Sequence, residues 1–180
     1  MQKTVQQFDI LYKECKQVFT SKLKDYGTSW RIFRLSSLTD QLFIKAKRIR
    51  TLEETNENKV GDSIASEYMG IINYCIIALI QIKQAQNPNL AISVEEATQW
   101  HEEIYIELLD LLSKKNHDYG EAWRSMRVSS FTDIILTKLY RIKQIEDNNG
   151  HTIISEGVDG NYFDCINYAM FALIHLKGEN

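Results

Sequence analysis

Residues 22–49 read KLKDYGTSWRIFRLSSLTDQLFIKAKRI, and residues 115–142 read KNHDYGEAWRSMRVSSFTDIILTKLYRI. At an offset of 93 positions (115 minus 22), 14 of these 28 pairs are identical, so the chain contains one unit written twice. Identities include Asp25/Asp118, Tyr26/Tyr119, Gly27/Gly120, Trp30/Trp123, Arg31/Arg124, Arg34/Arg127, Thr39/Thr132, Lys45/Lys138 and Arg48/Arg141. After a one-residue slip the likeness resumes, with Tyr68, Asn73 and Tyr74 against Tyr162, Asn167 and Tyr168. The period is too long, and two copies too few, for a solenoid; duplication and fusion accounts for it.

Outward from these stretches the pattern is helical. Phe8, Leu11, Tyr12, Cys15, Val18 and Phe19 follow the spacing of one buried helix face. Their counterpart opens on Ser93-x-x-Glu96, a capping box. A DYG turn follows in each copy, glycine permitting a left-handed backbone. Ser37-x-x-Asp40 and Ser130-x-x-Asp133 then read as N-terminal caps of a second helix. Third helices near 63–83 and 157–176 are apolar nearly all round and belong at the centre of a bundle. Pro88, the single proline, lies between the copies. The expected fold class is all-α: about six main helices in two tandem three-helix repeats related by a pseudo-twofold axis. The expected organisation is a repeat over 1–83, a linker over 84–93 and a repeat over 94–180, packed as one compact domain.

Composition narrows the function. The 180 residues are 44% hydrophobic and 25% charged, with a net charge of -3. A binder of duplex DNA through its backbone carries a basic excess, so that partner is disfavoured. The longest apolar run, Ile71 to Ile82, falls short of a membrane span, and MQKTVQQFD has no signal core. Cys15, Cys75 and Cys165 form no pair motif, which points to a reducing compartment; the expectation is a cytoplasmic protein. His101, His117, His151 and His175 form no metal-binding spacing, and neither a phosphate loop nor a nucleophile elbow occurs.

The repeated polar residues carry what chemistry there is. Trp30 and Trp123 read as core anchors rather than base platforms. Lys138 and Arg141, with their copies Lys45 and Arg48, share a helix face at i, i+3; they either hold a phosphate or pair with nearby acids. On the last helix Glu156, Asp159 and Asn167 share one stripe, with Asp164 about 80° round from Glu156. Oxygen ligands on a helix face are what Mg²⁺ requires, making Glu156, Asp159 and Asp164 the expected metal set. Their first-copy counterparts are Asp62, Ala65 and Gly70, so a metal site would rest on the second copy.

The strings KNHDYGEAWR, S-S-x-T-D followed by Lys138 and Arg141, and SEGVDGNYFDCINY resemble the nucleotide modification associated domain family (type 1), first described as a domain of unknown function, in its two-copy bacterial form. The resemblance covers nearly all of 95–177 and, more weakly, 5–83. It carries the family motif onto Lys115, Asn116, Asp118, Tyr119, Gly120, Lys138, Arg141, Glu156, Asp164 and Asn167. The chain departs from it at Gly160, where the family has an acid, and in the first copy at Leu23 and Gly70. The resemblance implies a protein that handles nucleotides, with a distant likeness to all-helical MazG-like nucleoside-triphosphate pyrophosphohydrolases. Two readings stand at this point. In one, Lys115, Asn116, Asp118, Tyr119, Arg124, Lys138, Arg141 and Asn167 bind a nucleotide or other phosphate, with Mg²⁺-dependent hydrolysis as its enzymatic form. In the other, the repeated charges are salt bridges of a non-enzymatic module, Asp25 with Arg48 and Asp118 with Arg141. A homodimer is compatible with either.

Overall fold

The computed structural model describes residues 2–55, 57–59, 61–151 and 157–178; the side chains of residues 116–119 fall outside that description. Six helices follow one another: α1 (Gln2–Tyr26), α2 (Leu35–Thr55), α3 (Ile64–Lys83), α4 (Val94–Tyr119), α5 (Val128–Asp147) and α6 (Val158–Leu176). No strand occurs among the described residues. Short 3₁₀ turns, Ser29–Ile32 and Ala122–Ser125, join the first helix of each repeat to its second.

The ends follow local chemistry. Ser93 caps α4, its hydroxyl oxygen accepting from Glu96 N at 3.0 Å, and Ser63 caps α3 through Ser66 N at 3.1 Å. Gly27 and Gly120 leave α1 and α4 at φ of 61° and 62°, a conformation costly for any residue with a Cβ. Ser37 and Ser130 are not caps: α2 and α5 begin two residues earlier, at Leu35 and Val128. The Arg34 carbonyl already accepts from Leu38 N, and Arg127 is the extended residue before α5. Asp40 and Asp133 reach across instead, to Lys143 at 2.6 Å and to Arg50 at 2.5 Å.

α2, α3, α5 and α6 form a closed square, α2 on α3, α3 on α6, α6 on α5 and α5 on α2. α1 and α4 pack on each other and lie over α3 and α6. The twofold relation is written in reciprocal hydrogen bonds. Tyr162 Oη meets Thr39 Oγ1 at 2.7 Å, and Tyr68 Oη meets Thr132 Oγ1 at 2.6 Å. Thr39 and Thr132 also donate to Glu146 and Glu53, each at 2.8 Å. Tyr12 and Tyr105 stack on the axis, centroids 3.6 Å apart. The one core spans both repeats, so neither repeat's apolar face is left without cover.

α3 is long and apolar enough, by length and composition, to cross a membrane, which the short run Ile71 to Ile82 did not anticipate; 61% of its apolar window is buried within this fold. All three cysteines are buried, and burial pushes the Cys15 thiol up to about 12.

Candidate functional site

A cleft of about 670 Å³ opens in the C-terminal repeat between the end of α4, the second 3₁₀ turn, α5 and α6. Helical periodicity explains its walls. On α6, Asn161, Asp164, Asn167, Tyr168 and Phe171 recur at the spacing of one face, and Lys138 and Arg141 sit one turn apart on α5. Leu112 and Lys115 come from α4, and Trp123 and Met126 from the turn and the residues after it.

Asp164 is the electrostatic centre. Its side chain is only 8% exposed, and a carboxylate so buried requires opposite charge close by. Lys138 Nζ supplies it at 2.7 Å from α5, and Lys115 supplies it from α4. The lysine side chains stay partly exposed, at 31% and 46%, so the pair of bridges borders on solvent.

Deeper in, polarity is less well matched. Asn167 is buried, and its Oδ1 has no hydrogen-bond partner among the described residues. Trp123 is also buried, and its Nε1–H has no acceptor among them. The indole faces are taken: Phe171 stacks on the ring at 4.3 Å and 10°, and the Arg124 guanidinium lies 4.3 Å from its centroid. The expectation of a core anchor rather than a base platform therefore fits its packing.

Of the expected ligand-binding residues, Lys115, Lys138, Arg141 and Asn167 come together here, joined by Asp164 from the expected metal set. Arg124 does not line the cleft. It turns to α1, donating to Gln7 Oε1 at 2.9 Å and Thr4 Oγ1 at 3.0 Å, and pairs with Glu121 at 2.8 Å. That contact holds the Glu121 carboxyl down at about 2. Arg31, its counterpart, is tied to the inter-repeat linker through the Asn87 carbonyl at 2.8 Å. The side chains of Asn116, Asp118 and Tyr119, and the whole of Glu156, lie outside the description.

The described donors do not fit the expected Mg²⁺ site. Asp164 is neutralised by two ammonium groups, and Asp159 is exposed and does not line the cleft, about 140° round the helix from Asp164. Among the described residues no group of three or more His, Cys, Asp or Glu could hold a metal ion. The acids on one face of α4, Glu103, Glu107 and Asp110, bond to Gln99, Lys83 and Lys114.

The N-terminal repeat has the corresponding cleft, about 530 Å³, lined by Lys22, Trp30, Lys45, Glu67, Gly70, Asn73 and Tyr74 among others. Its carboxylate has moved by one helical turn. Gly70 stands where Asp164 would be, and Glu67 stands where the second repeat has Asn161. Glu67 is buried and takes Lys45 at 3.2 Å and Arg48. Lys45 lies over the bare Gly70, where an added Cβ would come within 3.2 Å of its Cε and Nζ. Arg48 also meets Asp62 at 3.4 Å, whereas Asp25, the acid expected to pair with it, is exposed.

Asn73 differs from its twin in being satisfied. Its Nδ2 donates to the Cys15 carbonyl at 2.9 Å, and its Oδ1 meets His101 Nε2 at 3.1 Å. His101 is fully buried, its Nδ1 on Tyr12 Oη at 3.1 Å, and burial with nearby Lys16 pushes it down to about 3, so the ring is neutral. The residue at the corresponding place in α1 is Phe8, which has nothing to offer Asn167.

A sequence profile of nucleotide modification associated domain 1 matches residues 22–82 and again residues 115–176. The chain belongs to that family. The two matched segments open on Lys22 and Lys115 and contain Lys45 and Lys138, Asn73 and Asn167, so the polar walls of both clefts lie within them. His101 and Phe8, which set the two asparagines apart, lie outside the matched segments. The family is associated with nucleotide modification, and the two-copy form is confirmed by the double match. The expected likeness to MazG-like pyrophosphohydrolases finds no support, and no curated protein or solved structure matches the chain.

The aligned repeats carry the charge exchange Glu67/Gly70 against Asn161/Asp164, in which Gly70 marks a displaced acid rather than a lost one. Trp123 Nε1 carried no signal in sequence: its lack of an acceptor is a property of packing.

Proposed function

We propose that the C-terminal cleft binds a nucleotide by its phosphate, with Lys115, Lys138 and Arg141 as the cationic partners. The observation that supports this is the convergence of those three cations, from two helices, on one open cleft that also has an apolar wall. Each lysine ammonium has more than one N–H, so a phosphate oxygen can share it with Asp164. Arg141 adds a planar fork suited to phosphate. In this reading Asp164 holds the two lysines at the mouth, and no hydrolytic step is assigned to it. The family's association with nucleotide modification agrees with a nucleotide as the guest.

A second reading has its own observation: the Lys115–Asp164–Lys138 bridges are internal and resemble the charge pairs of a packing module. Calorimetric titration of deoxynucleoside monophosphates, the matching nucleosides and inorganic phosphate separates the two. The expected result is that nucleotides bind and nucleosides bind at least about tenfold more weakly, and that Arg141→Gln loses about 1.5–3 kcal/mol of nucleotide affinity. If no phosphate compound binds, and Arg141→Gln lowers only stability, the module reading replaces this one.

A further inference from the structure

The phosphate reading leaves the inner half of the cleft unexplained, and there two buried polar groups lack partners. Trp123 Nε1 is a donor and cannot accept; Asn167 Oδ1 is an acceptor. Both residues line the cleft, at 6% and 4% exposure. Phe171 links them: it follows Asn167 by one helical turn and carries Trp123 stacked on it at 4.3 Å. A buried polar group without a partner is costly, so an unpaired donor and an unpaired acceptor in residues that line one cleft point to a place where a ligand completes the bonding.

The N-terminal cleft isolates the acceptor. There Trp30 Nε1 is equally without an acceptor, but the amide oxygen of Asn73 is closed off by His101. With Phe8 at the corresponding place in the other half, the Asn167 oxygen stays open. The C-terminal cleft can therefore match a group presenting a donor next to an acceptor; its twin can match an acceptor alone.

We infer that Trp123 and Asn167 read the hydrogen-bonding edge of a nucleobase, Trp123 Nε1 donating to a ring nitrogen or carbonyl and Asn167 Oδ1 accepting from the adjacent N–H. This inference rests on the phosphate reading and adds the base to it: the ligand class is an intact nucleotide rather than a sugar phosphate. Asn167 is then a specificity-determining residue, and Lys115, Lys138 and Arg141 supply affinity that is indifferent to the base.

Titration of the four common deoxynucleoside monophosphates against 2-deoxyribose 5-phosphate tests it. The expected result is that at least one nucleotide binds about tenfold or more tightly than the sugar phosphate, a bidentate edge contact being worth about 1–3 kcal/mol. Asn167→Leu should bring that nucleotide down to the sugar phosphate's affinity and leave the sugar phosphate unchanged; Asn167→Ser, a smaller change, should do the same if the leucine disturbs folding. Sugar phosphate binding as tightly as every nucleotide, or a base preference that survives both variants, overturns the inference and leaves the phosphate reading standing. Failure of all five compounds to bind removes the phosphate reading itself, and the inference with it.

Discussion

The two clefts are built by the same sequence motif and differ in how completely they satisfy themselves. In the N-terminal one, Glu67 takes Lys45 and Arg48, Lys45 lies over Gly70, and His101 completes Asn73. In the C-terminal one, Asp164 holds Lys115 and Lys138 at the mouth, while the Asn167 oxygen has no partner. Duplication supplied two copies of one pocket with an unpaired indole N–H in each; small exchanges have satisfied the asparagine oxygen in one and left it unmet in the other. A natural protein tolerates unmet valences in its interior mainly where a guest meets them.

The widest gap between the halves should appear in matched asparagine substitutions. Asn73→Leu strips the Cys15 carbonyl and His101 of their partner and should cost about 2–3 kcal/mol in urea unfolding. Asn167→Leu removes an oxygen that bonds nothing and should be neutral or raise stability by up to about 1 kcal/mol, at the expense of binding. Equal losses at the two sites would erase the distinction.

His101 gives the halves different acid responses. Its folded-state pKa lies far below the ordinary 6.5, so the unfolded chain takes up the proton first. Stability should therefore fall as pH drops below about 6.5, by up to about 1.4 kcal/mol per pH unit from this group, until the buried ring itself titrates near 3. Unfolding curves for His101→Gln between pH 7 and 4.5 should show a shallower decline than the parent. An unchanged slope would mean the imidazole is not held neutral by the fold.

The displaced carboxylate can be moved back. Gly70→Asp alone crowds Lys45 and adds a second acid beside Glu67, and should cost about 1–2 kcal/mol. Adding Glu67→Asn recreates the arrangement of Asn161 and Asp164 and should recover most of that loss. A double-mutant cycle with no favourable coupling would show that the two carboxylate positions are not interchangeable.

The smallest effect tests what the halves share. Burial raises the carboxyl pKa of both Glu53 and Glu146, which face Thr132 and Thr39 across the axis. A raised carboxyl pKa favours the fold at low pH, and that contribution is lost as pH rises through the folded-state value. Glu53→Gln and Glu146→Gln should thus each give a small rise in melting temperature at pH 7, of matching size. A rise at one site only would break the reciprocity of the axis.

Much of this was legible in the sequence, and the reasons differ by feature. Third helices expected near 63–83 and 157–176 are found at Ile64–Lys83 and Val158–Leu176, because apolar residues on every side demand a central helix. The DYG turns and the Ser93 cap follow from short-range chemistry. Lys138, Arg141 and Asn167 were found through repetition and periodicity, which fix a helix face. Arg124 is beyond sequence reasoning because a long side chain on a turn can swing to either neighbour, and here the Trp123 ring and Gln7 draw it to α1. Asp159 and Asp164 share Glu156 as a near neighbour in helical projection, yet the two lie on different sides of α6. The openness of Asn167 was beyond reach, since it depends on which residue of α1, Phe8, arrives opposite it.

The central claim is that the C-terminal cleft, and not its twin, receives a nucleotide. The chain has three tryptophans, Trp30, Trp100 and Trp123, so a ¹⁵N-labelled sample gives three indole N–H resonances. Titration with the tightest-binding deoxynucleoside monophosphate should move the Trp123 indole signal, saturably, and leave those of Trp30 and Trp100 where they were. Movement of Trp30 in place of Trp123, or three signals unmoved at millimolar nucleotide, would contradict the account.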